Sequence, residues 1–320
     1  MKKLLVFLTG MMLFLQYGQS QQVARHFWLN PNSYNHTLSP TSDGGYILAA
    51  ARQERGATLK NTIAVFKLDN AYNIQNTNVI GLLGGSPSGF DVDVDFEVHD
   101  VIENVGTGTN SYYVICGSIS RGGPPIGMVA IVDAGLNTQS IREYPNAEVF
   151  YSVYADGNYF YVCGKTQNAM GIVMRDNIFP TAMPPTAYTT NQPWEYHKVK
   201  VNFNGNDLVV SGTDYNEVGF TAFNIANFAT PAGLIASRRF PLYSNHIINS
   251  KVVVSNYPGN PWGTQGLVLS ASGDDGFGNA MIHTYFFGTY LGIQRGFIMA
   301  NVQSQMFLED VEVDINSVLR

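Results

Sequence analysis

Tyr113-Val114-Ile115-Cys116-Gly117 is a phrase this chain repeats. It recurs as Phe160-Tyr161-Val162-Cys163-Gly164 and Leu208-Val209-Val210-Ser211-Gly212, and more loosely as Tyr46-Ile47-Leu48-Ala49-Ala50 and Leu267-Val268-Leu269-Ser270-Ala271. Each copy has three bulky residues, one small residue, then Gly or Ala. The last residues of successive copies lie 67, 47, 48 and 59 apart. A period of roughly 40–50 residues built from short strands is the signature of propeller blades.

The flanks of each copy fit that reading. A candidate strand precedes it, as in Glu97–Ile102, Val149–Tyr154 and Tyr196–Val201. Turns rich in Gly and Asn (Asp43-Gly44-Gly45, Asp156-Gly157-Asn158, Asn204-Gly205-Asn206) join the two and supply positive φ. A third strand and a less regular fourth follow. No segment holds a helical period over three turns. The expectation is an all-β propeller of four-stranded antiparallel blades, five of them complete over residues 21–320. Leu308–Asn316 resembles a first strand, and Ala24–Leu29 resembles a fourth. The termini thus offer a partial sixth blade. They could close the ring together, belong to a longer array, or accept strands from a partner.

Residues 1–20 have the layout of an export signal. Lys2 and Lys3 precede the apolar run Leu4–Leu15, and Gly18 and Ser20 stand at −3 and −1 of a cut before Gln21. The run is short for a membrane span, and no Cys stands directly after the cut. The sequence therefore implies an exported chain, extracellular or at the outer cell surface, with the periplasm as an alternative. A net charge of −6 argues against nucleic acid or an anionic membrane as partner. The two cysteines, Cys116 and Cys163, share the small column of the phrase with Ala49, Ser211 and Ser270. They read as free buried thiols, because equivalent positions on neighbouring blades rarely reach disulfide distance.

The first repeat carries a further pattern. Asp43-Gly44-Gly45-Tyr46 followed by Lys67-Leu68-Asp69 resembles the repeat of secreted bacterial β-propeller proteins. That resemblance implies export and a propeller scaffold, and binding or surface modules as the common role. It assigns no residue a function.

Three constellations could carry chemistry. Two residues before an apolar position of each first strand stand His36, His99, Tyr151, His197 and Glu309, with Ile248 or Asn249 in the fifth blade. On innermost strands such a column faces a central channel. There it could hold a metal or hydrogen-bond a sugar, or its members could satisfy one another and channel water. From Phe90 to His99 apolar residues alternate with Asp91, Asp93, Asp95 and Glu97. This face could bind calcium or a basic partner, or simply keep a strand soluble. Tyr257, Trp262 and Trp194 lie in Pro-rich connections and could form an aromatic rim for a sugar or protein, or cover the core.

No Gly-x-Ser-x-Gly elbow, His-Glu-x-x-His or phosphate-cradling loop is present. Asp100, Glu195 and Glu309 are the inner-strand carboxylates a glycosidase could use. The expectation is therefore a binding module for a glycan or a surface protein, without a cofactor unless the acidic face takes calcium. A polysaccharide-active enzyme (glycosidase or lyase) and a structural subunit completed by strand addition are the alternatives.

Overall fold

The structure is a computed structural model. It describes residues 36–54, 60–80, 94–105, 111–179, 184–201, 205–214, 216–241, 246–255, 266–274, 280–289 and 292–301. The chain divides into residues 1–31 and residues 32–320, and the description below concerns the second unit.

Five four-stranded antiparallel sheets follow one another, each with its strands in chain order. Blade I holds β1 (His36–Pro40), β2 (Tyr46–Glu54), β3 (Lys60–Leu68) and β4 (Ile74–Ile80). Blade II holds β5 (Asp95–Val105), β6 (Ser111–Ser120), β7 (Ile126–Asp133) and β8 (Thr138–Tyr144). Blade III holds β9 (Val149–Asp156), β10 (Tyr159–Lys165), β11 (Met170–Asn177) and β12 (Thr186–Pro193). Blade IV holds β13 (Glu195–Val201), β14 (Asp207–Thr213), β15 (Glu217–Asn224) and β16 (Leu234–Pro241). Blade V holds β17 (His246–Ser255), β18 (Gly266–Asp274), β19 (Ala280–Thr289) and β20 (Gly292–Asn301). The five propeller blades read from the repeats are all present. The segments assigned to a sixth lie outside the described residues.

First strands neighbour first strands: β1 touches β5, β5 touches β9, β9 touches β13, and β13 touches β17. They are the inner strands. Fourth strands such as β4 and β8 are mostly exposed and form the outer edges.

The repeated phrase is a continuous apolar run because both faces of each second strand are buried between blades. Tyr113 and Ile115 of β6 pack toward blade I with Ile47, Ile63 and Val65. Val114 and Cys116 pack the other way, with Phe150, Phe160 and Val162 of blade III. Each such Val, Ile or Phe contributes about 1.5–3 kcal/mol on full burial. Both cysteines are free and buried, as their column requires. Burial pushes the Cys116 thiol well above its ordinary range. Its Sγ donates to the Phe150 carbonyl at 3.6 Å.

The Asp-Gly-Gly-Tyr and Lys-Leu-Asp motifs close a local circuit. Asp43 Oδ1 accepts from Gly45 N at 3.1 Å, Thr41 Oγ1 at 2.6 Å and Lys67 Nζ at 2.7 Å. Gly44 sits between at φ +82°, which an L side chain tolerates poorly. Asp69 accepts from Ala71 N and Asn73 N, each at 2.8 Å, turning the chain so that Tyr72 stacks on Tyr46 with centroids 4.8 Å apart. The motif is a hairpin lock.

Candidate functional site: the bulge column

In four of the five blades the inner strand carries one extra residue opposite the small-Gly end of the phrase. The β5–β6 register passes from Val98↔Gly117 to Asp100↔Cys116 and skips His99. The β9–β10 register skips Tyr151 between Phe150↔Gly164 and Ser152↔Cys163. The β13–β14 register skips His197. In blade V the register skips Ile248, opposite Ser272 and Gly273. The sequence column is thus a column of β-bulges, a device that re-aims a side chain and leaves it outside the ladder.

The bulge explains the glycine of the phrase. A Cβ on Gly117 would lie 1.8 Å from the Glu97 carbonyl oxygen, and one on Gly164 would lie 1.9 Å from that of Val149. At Gly212 it would meet Trp194 Nε1 at 2.1 Å and the Glu195 carbonyl at 2.4 Å. The kinked inner strand rides directly over these glycines. Blade I has Ala50 there, and β1 pairs with β2 without a shift.

Three column members come together. The His99 and Tyr151 rings meet edge to face at 5.1 Å, and Tyr151 and His197 lie 5.2 Å apart at 32°. Each imidazole has a glutamate two residues earlier on its own strand. Glu97 Oε2 is 3.7 Å from His99 Nε2, and Glu195 Oε2 is 4.0 Å from His197 Nε2. His197 Nε2 also shares a 3.2 Å hydrogen bond with Thr213 Oγ1. His99 Nε2 is buried and has no hydrogen-bond partner among the described residues.

Lys165, which follows the phrase's Gly164, completes the group. Its Nζ lies 3.0 Å from Glu195 Oε1 and 3.6 Å from Glu148 Oε1. Burial opposes its charge, but the Glu195 hydrogen bond, Tyr151 and Glu148 together carry its pKa well above the ordinary lysine range. Burial, with Glu195 adding to it, pushes the Tyr151 phenol up to about 12. Tyr151 is therefore a neutral phenol at physiological pH. The arrangement brings together three ring systems, a hydroxyl, a buried imidazole nitrogen without a described hydrogen bond, and flanking carboxylates. That set can hydrogen-bond and stack on a polar ligand.

Other expected site residues fare differently. His36 is exposed on β1, and among the described residues no ring contact joins it to the other three. Glu309, Asp91, Asp93, Tyr257 and Trp262 lie outside the described residues. Asp95 and Glu97 do alternate with buried Val94, Phe96 and Val98. Asp95 Oδ1 accepts from Asn61 N across blades at 2.9 Å, and Glu97 Oε2 accepts from Ser118 Oγ at 3.1 Å. Among the described residues no group of three or more metal-ligating side chains forms.

The rim assignment of Trp194 needs correction. It is 3% exposed and wedged between blades III and IV, with the Arg239 guanidinium 4.3 Å over its ring. Gly171 and Gly212 leave the room it fills, since a Cβ on Gly171 would come within 3.0 Å of Trp194 Cδ1. Asp100, a glycosidase candidate by sequence, is an inter-blade clamp. Its carboxylate accepts from Ser152 Oγ at 2.7 Å and Val153 N at 3.2 Å in blade III, Lys198 Nζ at 3.4 Å in blade IV and Thr37 Oγ1 at 3.5 Å in blade I. Sequence reasoning passed over Lys165 and Glu148. Their signal was position: one directly after the phrase, the other directly before an inner strand.

No protein-family model matches the chain, and no curated protein sequence does. Solved structures resemble it as folds. The Dos1 propeller matches over 90% of this chain at 14% identity and a TM-score of 0.54, and the chain spans 65% of that protein's length. Hydrazine synthase from Kuenenia stuttgartiensis matches over 88% of this chain and 69% of its own, at 12% identity and a TM-score of 0.51. At such identities the likeness shows the fold alone, and the fold is a β-propeller.

Proposed function

We propose that this chain is an exported binding module whose inner-strand bulge column recognises a glycan. The observation that carries this reading is the joined His99–Tyr151–His197 set, aimed out of the sheet ladders by bulges and bordered by hydrogen-bonding carboxylates. Sugars present hydroxyls in the plane and C–H faces above it, which suits mixed ring and carboxylate sites. Binding is favoured over hydrolysis because Asp100 and Glu195, the two described carboxylates that the sequence offers for glycoside cleavage, are committed. Asp100 is saturated by blade-to-blade contacts, and Glu195 is held by Lys165. A glycosidase instead needs two carboxylates poised on either side of a scissile bond.

A glycan array followed by calorimetry on the best hit tests this. Tyr151→Ala should weaken binding at least about tenfold, equivalent to ~1.4 kcal/mol. It should leave the thermal midpoint within a few degrees. An array with no hit, alongside a single protein captured from the cell surface, would replace the glycan by a protein partner. A calcium titration bears on the acidic face. A rise in melting temperature, lost in Asp95→Asn, would add a cation to this reading.

A further inference from the structure

We infer that the seam between blades II and III carries a separate docking surface for a basic, apolar segment of a protein partner. It lies toward the opposite ends of the inner strands from the bulge column and stands independently of the glycan reading. Asn104, Tyr112 and Asp133 pair in register across β5, β6 and β7, so they share one face of blade II. Asn104 Nδ2 donates to the Gly157 carbonyl at 2.7 Å, so that face looks toward blade III. From blade III, Phe179 meets the Tyr112 ring edge to face, with centroids 5.2 Å apart. The Phe179 side remains 52% exposed.

The backbone that presents Phe179 is pinned from both blades. Ile178 N donates to the Asn158 carbonyl at 2.8 Å, and the Ile178 carbonyl accepts from Arg142 Nη2 of blade II at 2.6 Å. Arg142 also holds Asp176 at 2.9 Å across the same seam. A half-exposed aromatic ring on a fixed backbone loses little freedom when a partner covers it. Aromatic anchors of this kind carry much of the energy of protein interfaces. Charge selects the occupant. Asp133 accepts from Asn137 N and Gln139 Nε2, each at 2.8 Å, and both donors are neutral. Asp156 is exposed at the start of the turn whose Asn158 carbonyl holds Ile178. Among the described residues neither carboxylate has an ion-pair partner. Arg142 is engaged by Asp176, and Arg175 packs its guanidinium 5.2 Å over Tyr159 and donates to the Ile225 carbonyl at 3.4 Å. A lysine or arginine next to an apolar side chain complements this surface. A second copy of the chain would instead bring the same carboxylates and a net charge of −6.

A random-peptide display library selected on the protein, with counter-selection on Phe179→Ser, tests this. Recovered peptides should combine Lys or Arg with an aromatic or aliphatic residue. Calorimetry on the synthesised peptides should show at least about tenfold weaker binding to Phe179→Ser. Asp156→Asn should weaken binding at about 20 mM salt, and the difference should shrink at about 200 mM. Both positions are exposed, so both variants should melt within a few degrees of wild type. Three results overturn the proposal: no enriched peptide, enriched peptides without a basic residue, or binding that survives Phe179→Ser. Sedimentation of the protein alone covers the other occupant. A dimer that Phe179→Ser converts to monomer would assign the surface to a second copy and end the peptide reading. Oligosaccharide binding that is lost in Phe179→Ser would assign it to sugar with the same consequence. None of these results depends on Tyr151, so the bulge-column reading stands or falls separately.

Discussion

At the residue scale the glycine of the phrase is the most consequential choice. Gly164 has no room for a methyl group because the bulged inner strand places a backbone oxygen where Cβ would go. Gly164→Ala should destabilise the protein by roughly 1–3 kcal/mol or more, since backbone must move. Gly157 sits at φ +59° with open space around it. There Ala should cost only about 1 kcal/mol, the penalty of a left-handed residue. Urea midpoints of the two variants compare them directly, and equal losses would contradict the steric account. The small column before each Gly makes a second prediction. Thiol labelling of unfolded, unreduced protein should count two free cysteines.

At the element scale the hairpin lock of blade I has a pH signature. Asp43 is held at about 2, first by the Lys67 hydrogen bond and then by Thr41, against an ordinary 3.8. The folded state therefore binds fewer protons than the unfolded one in that window. Its contribution is complete above about pH 4 and is lost as pH falls through about 2. Asp43 is 56% exposed, so screening limits the contribution to about 1 kcal/mol or less. The stability gap between wild type and Asp43→Asn should close between pH 4 and 2.

Most elements were legible in the sequence because strand alternation, Gly-Asn turns and buried runs are local properties. The first strands of blades II to IV begin within two residues of the starts read from the sequence, Glu97, Val149 and Tyr196. The fifth copy of the phrase was set two residues early, at Ser270-Ala271. Register places Ser272-Gly273 opposite the blade V bulge and chooses Ile248 over Asn249 for the column. Two small dipeptides in a row look alike until a partner strand selects one.

At the scale of the whole molecule the blades are held by packing layers and by charged contacts between blades, Asp100 among them. Asp100 reaches blades I, III and IV from blade II. Asp100→Ala leaves Lys198 buried without its carboxylate and should cost about 3–5 kcal/mol. Asp100→Asn combined with Lys198→Met should recover much of that loss, because the amide keeps the Ser152 contact and no charge is stranded. Chemical denaturation of the three proteins checks the order. A double variant as unstable as Asp100→Ala would show that the hydrogen bonds, not the charge, hold the centre.

The sequence by itself determined the scaffold. Repeat period, turn chemistry and the small-Gly column are carried by neighbouring residues, and together they specify blades, buried free thiols and a column on the inner strands. Only the tertiary structure decided what that column is. A bulge is a relation between two strands, so no single strand announces it. Whether Trp194 faces solvent or a neighbouring blade depends on what packs beside it. Glu148, Lys165 and Glu195 become one group with Tyr151 because blade rotation brings the ends of different strands together, and distance in space is the one quantity a linear pattern does not encode.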